Sequence, residues 1–207
     1  VSGQADQDGR NRQASWYYFR VDSSPGVELR LDLTDLLGEY NYNPGTHAIQ
    51  KATVPFYSYD RSTWVPVERR DWNEPAKELI LYLPVRLSPV WVAHLYPYVL
   101  SDLAGLEQVA RKSPSVRAEA AGRTVRGRPM PLWTIAERPA DPGSRPVVWI
   151  MARQHAWESA TSWVTDGMVR YLLSAEAAPL RRDIVFRIFP MADPDGVVLG
   201  GVRYNQN

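Results

Sequence analysis

The chain has 207 residues, 24 basic and 23 acidic, giving a net charge of +1, and 44% of it is hydrophobic with eight Trp and eleven Tyr. Such a composition excludes a disordered chain and a nucleic-acid binder that works by charge alone. The length lies between one domain and two, there is no cysteine for a disulfide or thiolate ligand, and the longest uncharged run, Leu87 to Ser101, is too short to span a membrane and is broken by Pro89 and Pro97.

The first half predicts β-structure. Trp16 to Val21 and Val27 to Leu33 read as two strands of a hairpin closed by Ser23-Ser24-Pro25-Gly26. The second strand alternates strictly, with Val27, Leu29, Leu31 and Leu33 on one face and charges on the other. Thr53 to Tyr59, Trp64 to Val67, Glu78 to Leu83 and Val90 to Leu95 are further strands. Turn-forming segments separate them at Asn43-Pro44-Gly45, Asp60-Arg61-Ser62 and Asn73-Glu74-Pro75. Many short strands with no helical period predict an all-β sandwich domain over residues 1–95.

From Tyr96-Pro97-Tyr98 the pattern changes. Ser101 is placed to cap a helix from Asp102 to Lys112, with Leu103, Leu106, Val109 and Ala110 on one face. Val116 to Ala121 and Met130 to Ala136 predict strands joined by the Arg-rich turn Gly122 to Pro129. Val147 to Met151 is wholly apolar, as expected for a strand covered on both faces. A helical period follows, with Trp157, Ala160, Val164, Met168, Tyr171 and Leu172 on one side, and Asp183 to Phe189 forms another strand ended by Pro190. Strand, helix, strand is a βαβ unit, so residues 96–207 read as α/β.

In such a unit, chemistry collects in the loops at the carboxyl ends of the strands. The first loop, Ala152-Arg-Gln-His-Ala-Trp-Glu158, places His155 and Glu158 three apart at a strand-to-helix switch. Neutral imidazole and anionic carboxylate are zinc ligands, so the pair is a partial ligand set; the competing structural reading is a helix start with a capping carboxylate. The second loop holds the turn Asp193-Pro-Asp-Gly196 and, beyond Gly200-Gly201, Arg203, whose guanidinium could clamp a carboxylate or steady an oxyanion. The other two histidines, His47 and His94, lie in the β half and read as packing or surface residues. Arg69-Arg70 and Arg181-Arg182 read as solvated charge runs. No G-x-S-x-G, P-loop or G-x-G-x-x-G appears, which leaves a serine hydrolase or nucleotide-binding reading without support.

At these two loops the chain resembles the zinc metallocarboxypeptidases of carboxypeptidase A type, in their cytosolic carboxypeptidase-like subgroup. The family's H-x-x-E matches His155-Ala-Trp-Glu158, its Asn-Pro-Asp-Gly matches Asp193-Pro-Asp-Gly196, and its G-x-x-R matches Gly200-Gly-Val-Arg203. Trp16-Tyr-Tyr-Phe-Arg-Val21, Tyr57-Ser-Tyr-Asp60 with Trp64, Tyr96-Pro-Tyr98 and Gly122-Arg-Thr-Val-Arg-Gly-Arg128 extend the likeness from about Trp16 to Asn207. The chain departs from the family in carrying Asp193 for Asn and Ala156-Trp157 for Pro-Gly.

The resemblance implies a β-sandwich followed by the first part of a carboxypeptidase-like mixed sheet with flanking helices. It implies one Zn2+ per complete site with His155 and Glu158 as its first two ligands, Arg203 binding substrate, and a peptide or protein C-terminus as that substrate. Neither nucleic acid nor a membrane span is expected. The family's third ligand, a His, and its general-base Glu come later than Asn207 in the family pattern. The expectation is therefore a native protein that continues past Asn207, with the 207 residues inactive alone. The cytoplasm follows from the subgroup, and export after signal cleavage stays open. A different class competes: a non-catalytic peptide- or carbohydrate-binding protein with a β-sandwich and a relic α/β half.

Overall fold

The computed structural model describes residues 4–5, 11–13, 15–40, 42–46, 49–139 and 143–203. His47 lies outside the described residues. The first half contains β1 (Gln4–Ala5), β2 (Asn11–Gln13), β3 (Tyr18–Val21), β4 (Glu28–Leu33), β5 (Gly38–Tyr40), β6 (Asn43–Thr46), β7 (Phe56–Ser58), β8 (Val65–Pro66), β9 (Arg70–Asn73), β10 (Glu78–Pro84) and β11 (Val90–Ala93). Helix α1 (Leu100–Arg111) follows, then β12 (Val116–Arg123), β13 (Pro129–Ile135), β14 (Val147–Met151), α2 (Ser159–Leu173), α3 (Ala178–Asp183), β15 (Val185–Phe189) and α4 (Pro194–Leu199). The chain packs as two compact units, Val1–Pro97 with Gly200–Asn207, and Tyr98–Leu199.

The first unit is a sandwich. One antiparallel sheet has the order β4-β10-β9 and the other β3-β11-β7-β8. They meet through one core in which Leu79, Leu81 and Leu83 of β10 and Val90 and Val92 of β11 are each 0% exposed. Each such side chain stabilises the fold by roughly 1.5–3 kcal/mol relative to its exposed state.

The hairpin expected across Ser23 to Gly26 does not form. Tyr18–Val21 pairs with β11 and Glu28–Leu33 with β10, so the turn carries the chain from one sheet to the other. Gly26, at φ +90, makes this passage and donates to the Val85 carbonyl at 2.7 Å. Strand pattern and turn residues are common to a hairpin and an arch; only the distant partners distinguish them. Val27 lies outside β4 and is exposed, whereas Leu29, Leu31 and Leu33 pack inward as expected. A further sheet, β1-β2-β5-β6, was not anticipated. In it Asn43-Pro44-Gly45 is part of an edge strand, where the missing proline N–H is tolerated.

The second unit is built on one mixed sheet of order β12-β13-β15-β14, antiparallel except for the parallel pair β14–β15. Leu103 and Leu106 of α1, Val169 and Leu172 of α2, Trp133 and Ile135 of β13, and Phe186 and Ile188 of β15 share its core. The hairpin β12–β13 forms as expected, with a bulge between Ala120 and Gly122. Other expectations need correction. Val99, not Ser101, caps α1: its backbone N–H donates to Asp102 Oδ2 at 2.7 Å, and Ser101 sits inside the helix. Val109 faces outward.

Helix α2 buries a different face from the expected one, with Leu172 common to both. Ser159, Ser162, Thr165, Asp166, Val169 and Leu172 point inward, while Val164 is 72% exposed. The buried polar groups are mostly satisfied: Tyr98 Oη donates to Asp166 Oδ2 at 3.1 Å, and Thr165 Oγ1 donates to the Thr161 carbonyl at 2.8 Å. Among the described residues strand β14 is the edge of its sheet and is not covered on both faces: Val147, Trp149 and Met151 are exposed. Arg181, expected as a solvated charge, instead donates to the carbonyls of Leu172 and Ser174 at the end of α2.

Candidate metal centre

Parallel pairing of β14 with β15, in register from Val147 opposite Val185 to Met151 opposite Phe189, brings both strands to their carboxyl ends at one sheet edge. The two loops leaving that edge are zipped together by backbone hydrogen bonds. Ala192 N–H donates to the Ala152 carbonyl at 2.9 Å, and Asp193 N–H to the Arg153 carbonyl at 3.1 Å. The candidate loops are therefore one structure.

His155 and Glu158 converge within it. His155 Nδ1 lies 2.7 Å from Glu158 Oε1, and the side chains are 23% and 29% exposed. The backbone N–H of His155 leans toward Glu158 Oε2 at 3.4 Å. Glu158 occupies the N-cap of α2 without a side-chain cap bond, so its carboxylate is turned back to the imidazole and not spent on the helix. An imidazole nitrogen and a carboxylate oxygen 2.7 Å apart at a solvent-accessible point are two donors of the kinds a zinc ion takes. Among the described residues, no group of three or more His, Cys, Asp or Glu gathers to hold a metal ion.

The second loop supports the first. Asp193 Oδ1 accepts from Gly196 N–H at 2.9 Å and starts α4, so the expected tight turn is a helix start. A side chain at Gly196 would meet Asp193 Oδ2 at 2.2 Å and Ala156 Cβ at 2.8 Å. Only glycine lets α4 approach the loop between His155 and Glu158 so closely. Asp195 is fully buried and accepts from Arg128 Nη1 at 2.6 Å and Arg126 N–H at 3.1 Å. Burial alone would raise its carboxyl, but these bonds, with one from Thr124, outweigh burial and hold it below the ordinary carboxylate range. The Arg-rich hairpin turn is thereby fastened to the Asp-Pro-Asp-Gly loop.

Arg153 is the residue that local pattern could not single out. It is 2% exposed, and burial lowers its guanidinium to about 10, which leaves it charged at neutral pH. An arginine after an apolar strand reads as surface charge; its acceptors come from positions 98, 156 and 162, which only the fold assembles. Asp195 was hidden in the same way, its partner Arg128 being 67 residues away. His155 and Glu158 are brought together within the second unit, whereas Arg203 is half-buried and belongs to the first. His94 is buried in the first unit, edge-on to Tyr17 at 5.5 Å between ring centroids.

Residues 103–205 match the family model described as zinc carboxypeptidase, and residues 3–95 match that of the cytosolic carboxypeptidase N-terminal domain. The chain is 28% identical to human cytosolic carboxypeptidase 2 over 218 residues, covering 93% of this chain and 24% of that relative. A metallo-carboxypeptidase from Burkholderia cenocepacia superposes with a TM-score of 0.82 at 25% identity, covering 98% of this chain and 52% of the other. A metallo-carboxypeptidase from Pseudomonas aeruginosa shares the fold with a TM-score of 0.82 at 24% identity over 99% of this chain and 52% of its own. The chain thus spans about half the length of these solved structures and about a quarter of the human relative.

Proposed function

The chain belongs to the zinc carboxypeptidases, with a cytosolic carboxypeptidase N-terminal domain ahead of its catalytic segment, and from that premise we propose that the protein is a zinc-dependent metallocarboxypeptidase releasing C-terminal residues from peptides or proteins. The observation that carries this reading is the convergence of His155 Nδ1 and Glu158 Oε1 at 2.7 Å, at the mouth of the β14–β15 edge. Both side chains reach solvent, which suits a catalytic metal that keeps one position open for water.

Zinc would supply Lewis acidity and an activated water at this point. His155 and Glu158 bind the ion. Gly196 and Asp193 keep the neighbouring loop against the ligand loop. Arg203 contributes its guanidinium to the substrate carbonyl or the terminal carboxylate, since a planar cation matches both. Among the described residues no helix is long and apolar enough to cross a membrane. The relatives' name supports a place in the cytoplasm.

The test is hydrolysis of an unblocked peptide by the intact gene product, followed by mass spectrometry. Stepwise loss of C-terminal residues is expected, with His155→Ala abolishing it. Arg203→Ala should lower turnover by at least about tenfold while retaining the metal. Full activity in His155→Ala would contradict the reading.

A further inference from the structure

We propose that Arg153 is a positioning residue: its buried guanidinium fixes the backbone between His155 and Glu158 and thereby sets the affinity of the site for zinc. This rests on the reading of those two residues as ligands. Arg153 Nε donates at 2.7 Å to the carbonyl of Ala156, which lies between them. Nη1 donates to the Tyr98 carbonyl at 3.0 Å and leans on Ser162 Oγ at 3.4 Å. One side chain thus ties the ligand loop to the segment before α1 and to the first turns of α2.

Both anchors are themselves held. Tyr98 is buried and donates to Asp166, and Ser162 is buried on the inner face of α2. The backbone at Arg153 is constrained as well. It sits at φ +55, in the left-handed region that costs a non-glycine residue. Its N–H donates to Thr161 Oγ1 at 3.0 Å, and its carbonyl accepts from Asp193 at 3.1 Å. Two costs, a desolvated cation and a strained backbone, fall two residues ahead of His155. An apolar side chain could fill the same volume without the first cost, but it could not hold the Ala156 carbonyl. Lysine would keep the charge, yet a single ammonium lacks the rigid fork that spans the carbonyls of residues 156 and 98.

The experiment compares zinc affinity, by competition with a chromogenic chelator, in the intact gene product and in three variants. It is run where circular dichroism shows each metal-free form folded. Arg153→Lys is expected to bind zinc at least about tenfold more weakly, as when a group that orients a ligand is lost. Arg181→Lys removes a comparable structural arginine at the far end of α2; it should lower the melting temperature and leave affinity within about twofold. Should Arg153→Lys fail to fold, Ser162→Ala decides, since it deletes one acceptor oxygen and should weaken binding about threefold. Wild-type affinity in the folded Arg153→Lys, or in Ser162→Ala where that variant decides, overturns the inference. If wild type binds no zinc, or His155→Ala binds it equally well, the ligand reading fails first, and the two failures are told apart.

Discussion

Strands β10 and β14 are both rich in large apolar residues and end in opposite environments. In β10, Leu79, Leu81 and Leu83 alternate with Glu78, Ile80 and Tyr82, and the three leucines are all fully buried. In β14, an unbroken Val-Val-Trp-Ile-Met run, Val147, Trp149 and Met151 are 46%, 58% and 53% exposed. Alternation contrasts two faces and so names the buried one. A uniformly apolar run contrasts nothing, and its burial depends on which neighbours the sheet order supplies. Helix α2 repeats the point, because its inward face joins Val169 and Leu172 to small and polar residues, while Val164 and Tyr171 stay exposed.

The largest expected effect sharpens the β10 side of the comparison. Leu81→Ala should destabilise the 207-residue chain by about 3–4 kcal/mol, read by urea unfolding, since it opens a cavity in the sandwich core. Asp195→Ala tests whether the α/β unit depends on a buried ion pair as strongly as the sandwich depends on leucine. It should cost about 3 kcal/mol by stranding Arg128, whose partial exposure moderates the loss.

His94 distinguishes the units by pH. Burial lowers its imidazole from 6.5 to about 4, so the folded ring stays neutral while the unfolded ring protonates below about pH 6.5. The unfolded state then binds more protons between these values, and stability rises with pH across that window. Acidification from pH 6.5 to 4 should remove up to about 3 kcal/mol through this residue, and His94→Phe should flatten that part of the profile. Asp60 acts in a separate window. Backbone N–H groups of Thr63 and Ser62 hold its carboxyl at about 2, so its contribution is present above 3.8 and is lost as pH falls toward 2. The smallest effect belongs to the β14 side: Trp149→Ser and Val164→Ser should each change the stability of the 207-residue chain by no more than about 0.5 kcal/mol. A loss near that of Leu81→Ala would show that β14 depends on burial as much as β10 does.

What was legible in the sequence follows the same physics. The strand positions of β4, β7, β10, β11, β12, β13, β14 and β15, and the helical periods of α1 and α2, are local signals and were readable within a few residues. Pairing was not, as the arch at Ser23 to Gly26 demonstrates. The third sheet was missed because its strands are short and contain Pro44 and Gly45. At the site, the His155 and Glu158 spacing and the strand-to-helix switch are legible directly, whereas Asp193 to Gly196 reads as a turn and is a helix start. Arg153 and the Arg128–Asp195 pair could not, because their meaning lies in acceptors and partners remote in sequence.

The most direct test of the account is the zinc content of the purified intact gene product and its His155→Ala variant, measured by elemental mass spectrometry after removal of loosely bound metal. About one zinc per chain is expected in the wild type and almost none in the folded variant. Equal zinc in both would show that His155 is not a ligand.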